Sequence, residues 1–191
     1  MDKLELRPAK TALIVIDLQK GIARMPTAPH DAATVIQNAK RLADALRAQG
    51  GFIVFVRVAG SPDGKDRLHP ACDSPLGGGP LPADWSELVP DLEVQAGDLV
   101  LTKKQWGAFY GTELDLQLRR RGLTTIILCG IATCFGVEST ARDAFERGYE
   151  QVFAEDATSS RTAAEHEHTV GRILPRIGLV RKTADILAAL S

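Results

Sequence analysis

Three residues that follow apolar runs, Asp17, Lys103 and Cys134, are of types that carry acid–base or nucleophilic chemistry. Asp17 stands in Ile16-Asp17-Leu18-Gln19, directly after the apolar run Ala12–Ile16. A carboxylate so placed is expected to be part-buried, and burial raises a carboxyl pKa towards the range where it exchanges a proton near neutrality. An aspartate that caps a turn or pairs with a structural lysine fits the same position. Lys103 lies in Leu101-Thr102-Lys103-Lys104-Gln105-Trp106. Its ammonium, if close to Asp17, would lower the carboxyl pKa and offer a proton or an electrostatic clamp; at a sheet edge it would only be solvated. Cys134 follows Gly130-Ile131-Ala132-Thr133 at the expected opening of a helix. Backbone N–H groups there stabilise a thiolate and hold an oxyanion, which makes Cys134 a candidate nucleophile. An inert buried thiol is the alternative. Trp106, Phe109 and Tyr110 add aromatic surface beside Lys103, as core or as pocket wall. Cys129, inside an expected strand, and Cys72, in an irregular loop, are assigned no role.

These side chains need a frame that brings them together. Ala12–Ile16 is continuous and largely β-branched, as a strand buried on both faces should be. Residues 31–49 place Val35, Ile36, Ala39, Leu42, Ala43 and Leu46 on one helical face, with Gly50 as the stop. Further strands are expected at Phe52–Val58, Asp98–Thr102, Thr125–Cys129, Val152–Ala154 and Leu179–Arg181. Thr112, with Asp115 three residues on, gives a capping-box signal for a helix running to about Arg121, closed by Gly122. Other helices are expected from Cys134 to Arg147, from Ser160 to the break at Pro175, and from Ala184 to Leu190. Strands spaced by helices imply right-handed βαβ units: an α/β fold with a parallel sheet covered on both faces. Ligand sites in such sheets lie beyond the carboxyl ends of the strands, where Asp17, Lys103 and Cys134 stand. The fold alone does not give the function.

Residues 59–97 break the alternation. They hold Gly60, Pro62, Gly64, Pro70, Pro75, Gly77-Gly78-Gly79, Pro80 and Pro82 with almost no periodicity. A loop of this length is functional or disordered. The chain has 191 residues, which suits one domain over 1–191 with a single good core. Its net charge of −1, with both signs interspersed, leaves no electrostatic footprint for nucleic acid or an anionic membrane. The basic run Arg119-Arg120-Arg121 falls in the last turn of an expected helix, where cations complement exposed carbonyls. No apolar stretch reaches the roughly 20 residues that span a bilayer. The first residues, with Asp2, Lys3 and Glu5, carry no apolar leader region. Three cysteines cannot all pair and none has metal-ligand spacing, so a reduced, cytoplasmic setting is the expectation.

The segments Ala12–Gln19, Thr102–Thr112 and Cys129–Ala144, with the stretch from Gly148 through Asp156, resemble the isochorismatase-like hydrolases, a family that includes nicotinamidases and other cysteine amidohydrolases. The likeness runs from about residue 10 to 190. It implies a three-layer α/β/α fold with a six-stranded parallel sheet in the order 3-2-1-4-5-6. It also implies an active-site Asp after strand one, matched by Asp17, and a Lys after strand three, matched by Lys103, with Lys104 the spare. A non-proline cis peptide is implied at Ile131–Ala132, and so is a homo-oligomer, dimer or tetramer. The small-molecule substrate is expected to touch Gln19, Trp106, Phe109, Ala132 and Gly136.

One departure separates the chain from the amidohydrolase branch. Where that branch places its Cys, two residues after the match to Cys134, this sequence has Gly136; the isochorismatase branch also carries Gly there and uses the Asp without a thiol. The nicotinamidase zinc motif after strand two is replaced by Val58-Ala59-Gly60, and His69 stands alone, so neither metal nor other cofactor is expected. Three readings follow. Asp17 acts as general acid on a bond such as an enol ether, with Lys103 as its electrostatic partner; or Cys134 supplies the thiol of an amidase; or the fold persists as a binding protein. The substrate is expected to be small, and carboxylated or planar. Residues 59–97, with Trp85, Leu88 and Val89, are expected to lid the pocket or to pack on a neighbouring subunit.

Overall fold

The computed structural model describes residues 4–75 and 79–190; Asp2, Lys3 and the Gly77-Gly78 part of the glycine run lie outside them. Six parallel strands form one sheet in the order β3-β2-β1-β4-β5-β6: β1 Thr11–Ile16, β2 Phe52–Val58, β3 Leu99–Lys103, β4 Thr125–Ile131, β5 Glu150–Ser159 and β6 Leu179–Arg181. Helices α1 Lys20–Ala23, α2 Ala32–Ala48, α3 Leu114–Arg120, α4 Glu138–Glu146, α5 Ala163–His168 and α6 Thr183–Leu190 connect or follow them.

The apolar runs read from the sequence work by alternation. In β1, Leu13 and Val15 face a core shared with Val35, Ala39, Leu42 and Leu46 of α2 and Ile186 of α6. Ala12, Ile14 and Ile16 face the opposite core, with Leu114 and Leu118 of α3 and Ala141 and Ala144 of α4. Successive side chains of a strand point to opposite faces, so a strand covered on both sides must be apolar throughout. All six residues of β1 are buried, as this requires. The central strand is thereby fixed in place, and the residue that follows it, Asp17, is carried to the end of the sheet. Gly130 keeps β4 close against that end: it has φ +120°, and a Cβ there would lie 2.0 Å from the Ile16 carbonyl oxygen.

Several local expectations are corrected. Thr112 does not form a capping box with Asp115. Its Oγ1 accepts from the Leu114 N–H (3.1 Å) and donates to the Ala108 carbonyl (2.6 Å), while Asp115 accepts from the Tyr149 hydroxyl (2.8 Å). The capping box is instead Thr162 with Glu165, so the helix opens at Ala163 rather than Ser160; Ser160 is taken up in an antiparallel bridge to Ala28. Pro175 sits in a 3-10 turn, Leu174–Arg176, where its missing N–H costs nothing. The fifth strand is ten residues long rather than three, because Glu155–Ser159, polar except for the buried Ala157, continue it. The register steps from Leu128↔Phe153 to Gly130↔Thr158, so the intervening residues of β5 bulge out of the ladder. The segment after β4 begins as a π turn, Thr133–Val137, with the Val137 N–H bonded to the Ala132 carbonyl at 3.2 Å, before α4 proper. Such turns recur at functional sites. Arg121 bonds the Gln117 carbonyl (3.2 Å), as expected of a cation in the last turn.

Candidate active site

Asp17 leaves β1 in a left-handed backbone conformation, φ 54°. Such a conformation costs a residue with a side chain about 1–3 kcal/mol and persists only where the surroundings enforce it. Here the Asp17 N–H is bonded to the Val56 carbonyl at 2.9 Å, and the next turn is closed by the Gln19 N–H on the Asp17 carbonyl at 2.8 Å. The side chain is thereby aimed across the carboxyl ends of β1 and β3. It meets Lys103, the last residue of β3, with Nζ 2.8 Å from Oδ2. Both groups are almost wholly buried, at 5% and 1% exposure. Lys103 also donates to the Trp106 carbonyl. The second carboxylate oxygen, Oδ1, is buried and has no hydrogen-bond partner among the described residues. Burial pushes the Asp17 carboxyl from its ordinary 3.8 up to about 6, against the downward pull of the Lys103 charge and hydrogen bond. The outcome is a buried carboxyl whose pKa lies closer to neutrality than that of an ordinary aspartate, with one oxygen lacking a hydrogen-bond partner among the described residues.

Gly136 completes the centre from the third strand end. A Cβ on it would lie 3.1 Å from both Asp17 Oδ2 and Lys103 Nζ and 2.8 Å from Ile16 Cγ2. The π turn therefore delivers residue 136, not residue 134, to the ion pair. The thiol of Cys134 lies elsewhere: Sγ accepts from the Ser160 hydroxyl at 3.4 Å, and the Cys134 N–H donates to that same hydroxyl oxygen at 3.3 Å. Burial, with some help from Glu165, pushes its pKa up, away from thiolate. Cys134 is not among the residues that line the cavity over Asp17. The Ile131–Ala132 peptide is cis, and Ala132 lines the cavity.

The cavity holds about 640 Å³, and Asp17, Lys103, Trp106, Ala132 and Gly136 all line it. Trp106 is half-exposed and packs against Phe135, ring centroids 4.9 Å apart, so the two make an aromatic wall. Two residues expected at the substrate are placed differently. Gln19 is fully buried, and its amide is taken up by backbone: Nε2 donates to the Val58 and Trp85 carbonyls (3.2 and 3.1 Å) and Oε1 accepts from the Val58 N–H (2.8 Å). It pins the end of β2 and the long loop to the end of β1. Phe109 is a core residue packed against Tyr149, with ring centroids 5.8 Å apart and the rings tilted by 33°. Lys104, next to Lys103, is bound to Asp66 at 2.7 Å.

The long loop contributes the opposite wall, through Gly60, Arg67, Leu68, Leu81 and Trp85. It is anchored by backbone bonds from Lys20 to Glu87 (2.8 Å), Gly21 to Trp85 (3.0 Å) and Val89 to Leu18 (3.1 Å). Trp85 lies over Gly21, where a Cβ would come within 2.0 Å of the indole. Two cations missed by the sequence reading also line the cavity, Arg67 and Arg161, and neither has an ion-pair partner among the described residues. Arg161 stands two residues beyond β5, so the rule of examining strand ends would have found it had the strand been read at its full length.

Comparisons with known proteins agree with this architecture. The isochorismatase domain model matches residues 11–185. The chain is 53% identical over 189 residues to the isochorismatase family protein YwoC of Bacillus subtilis, covering 98% of this chain and 97% of that one. It is 36% identical over 180 residues to the ureidoacrylate amidohydrolase RutB of Serratia proteamaculans, covering 82% of this chain and 73% of the relative. An isochorismatase family protein from Burkholderia thailandensis superposes with a TM-score of 0.94 at 43% identity, over 99% of each chain. The chain belongs to the isochorismatase family of hydrolases.

Proposed function

We propose that this hydrolase cleaves a small, carboxylate-bearing or planar molecule, with Asp17 as general acid and base, Lys103 as its electrostatic partner, and no thiol nucleophile. The observation that carries the proposal is the meeting of Gly136 with the Asp17–Lys103 pair: a Cβ at residue 136 would touch both charged groups at 3.1 Å, while the Cys134 thiol is bonded to Ser160 outside the cavity lining. Without a thiol at the pair, the chemistry left is proton transfer. Asp17, with its pKa near 6, gives its proton to the substrate as the scissile bond polarises. An enol ether takes it on carbon, and the oxocarbenium so formed is captured by water. The resulting hemiketal releases an alcohol and a carbonyl compound, and a water proton restores Asp17. Lys103 keeps the negative charge of the almost wholly buried carboxylate bearable. Trp106 and Phe135, inclined at 59° to each other, offer aromatic surface to a planar substrate. Arg67 and Arg161 offer charge-assisted hydrogen bonds to a carboxylate. The substrate is the only partner needed, and nothing in this scheme calls on a cofactor.

The name of the Serratia relative brings carboxylate-bearing amides into the set to be screened. The test is a panel of enol ethers, ureido acids and simple amides, assayed before and after alkylation of the accessible thiols. Turnover that survives alkylation and is lost in Asp17→Asn supports the proposal. Turnover abolished by alkylation favours an amidase using Cys134, and a panel without any turnover favours a binding protein.

A further inference from the structure

On the far side of the π turn from Asp17, two imidazoles and one carboxylate converge. His30 precedes α2, Glu155 lies in the bulged part of β5, and His166 is in α5. Their ligand atoms lie within 4.8 Å of one another. His30 Nε2 is 3.2 Å and His166 Nε2 is 3.3 Å from the same oxygen, Glu155 Oε1. None of the three lines the active-site cavity. We propose that they form a separate binding site for a transition-metal dication of the zinc class.

Three observations support this. First, both contacts lie at or just beyond the long end of the roughly 2.7–3.2 Å range of N–H···O hydrogen bonds. Tetrahedral ligands at about 2.0–2.1 Å from zinc lie about 3.3 Å apart, which is the spacing seen here from both nitrogens to Oε1. Second, His166 Nδ1 is 2.9 Å from the Thr133 hydroxyl. The Thr133 hydroxyl can accept the Nδ1 proton, which leaves the Nε2 lone pair available to a metal ion, and a ligand imidazole held through its other nitrogen is the usual arrangement at metal sites. Third, Glu155 lies where the register of β5 shifts, and such bulges can re-aim a side chain. His166 is buried, whereas the His30 side chain retains 23% exposure. The open side leaves room for a water as fourth ligand and a path for entry. Lys182 binds the other oxygen, Glu155 Oε2, and its side chain is more than half exposed, so it is free to swing out as a dication enters. Through Thr133 the ion would brace the turn that carries Gly136. The proposed role is therefore structural, with no part in the proton transfer at Asp17.

The test uses the whole protein after chelator treatment, titrated with Zn²⁺ by calorimetry and with Co²⁺ by visible absorption. The expected result is one equivalent bound at micromolar affinity or tighter, with tetrahedral Co²⁺ bands and no thiolate charge-transfer band. His30→Ala, on a loop outside the sheet, and Glu155→Gln should each weaken Zn²⁺ binding at least a hundredfold while circular dichroism shows both folded. Absence of saturable Zn²⁺ binding by the wild-type protein overturns the proposal. So does a thiolate band, which would place the ion on Cys72 or Cys134. Undiminished affinity in His30→Ala does the same. The wild-type titrations do not depend on whether any variant folds.

Discussion

Replacing Lys103 by Met removes the ammonium and keeps most of the buried volume, so it isolates what the charge does to Asp17. The two charges are 2.8 Å apart. With an effective dielectric of about 20, their attraction is about 6 kcal/mol, or about 4 pH units on the Asp17 carboxyl. Water entering the vacated corner offsets much of that. The expected shift is therefore about 1–2 units upward from the starting value of about 6. The assay is the pH dependence of kcat/KM for the wild-type protein and for Lys103→Met on the same substrate. If Asp17 is the acid, wild-type activity falls about tenfold per pH unit above about 6, because the protonated fraction falls. In Lys103→Met the height of the profile drops, but its limb moves to higher pH. Difference infrared spectroscopy of the carboxyl stretch should show the same displacement. A limb that stays at about 6, or moves to lower pH, would refute the coupling on which the account of Asp17 rests.

Four other outcomes follow. Stability should also depend on pH: Asp17 has a raised pKa in the folded state, so its contribution is full below about 4 and is lost as pH rises through about 6, a loss of up to about 3 kcal/mol measurable by urea unfolding at the two pH values. Gly136→Ala should cut kcat/KM at least tenfold and cost about 1–3 kcal/mol, since its methyl meets Ile16 Cγ2 at 2.8 Å and both charged groups at 3.1 Å; wild-type kinetics in this variant would contradict the placement of residue 136. Gln19→Leu should lose about 3 kcal/mol in denaturant titrations, because it leaves the Val58 N–H and two backbone carbonyls without their partner; a loss below about 0.5 kcal/mol would mean the loop anchors itself. Arg161→Gln should raise KM about tenfold or more for a carboxylate-bearing substrate and leave a neutral analogue unaffected, and equal effects on both would remove Arg161 from recognition.

The parts of the fold that were legible in the sequence are those governed by periodicity. β2 and β6 fall at the expected residues, and β1 and α2 within one residue of them, because a strand covered on both faces and a helix covered on one leave distinct apolar patterns. Polar residues doing structural work misled the reading. Glu155–Thr158 belong to β5 although they carry no apolar pattern, and the short reading of that strand hid both Arg161 and Glu155. Gln19 looks like a site residue from its place after Asp17, yet its amide is spent on loop closure, which only the three-dimensional path of residues 85–89 reveals. Asp17 and Lys103 were legible because strand ends on one side of a parallel sheet must converge. The family resemblance points to residue 136, but periodicity alone does not choose between residues 134 and 136, because the choice rests on a π turn and a one-residue change in helical winding leaves no compositional signature.

The proposal stands most directly on the kcat/KM of Cys134→Ala compared with wild type, measured on one substrate alongside Asp17→Asn. A thiol bonded to Ser160 and absent from the cavity lining should be dispensable, so Cys134→Ala should retain activity within about threefold, while Asp17→Asn, with no proton to give at neutral pH, should fall by several orders of magnitude. A Cys134→Ala protein that is folded and as inactive as Asp17→Asn would contradict the account and make the thiol the nucleophile.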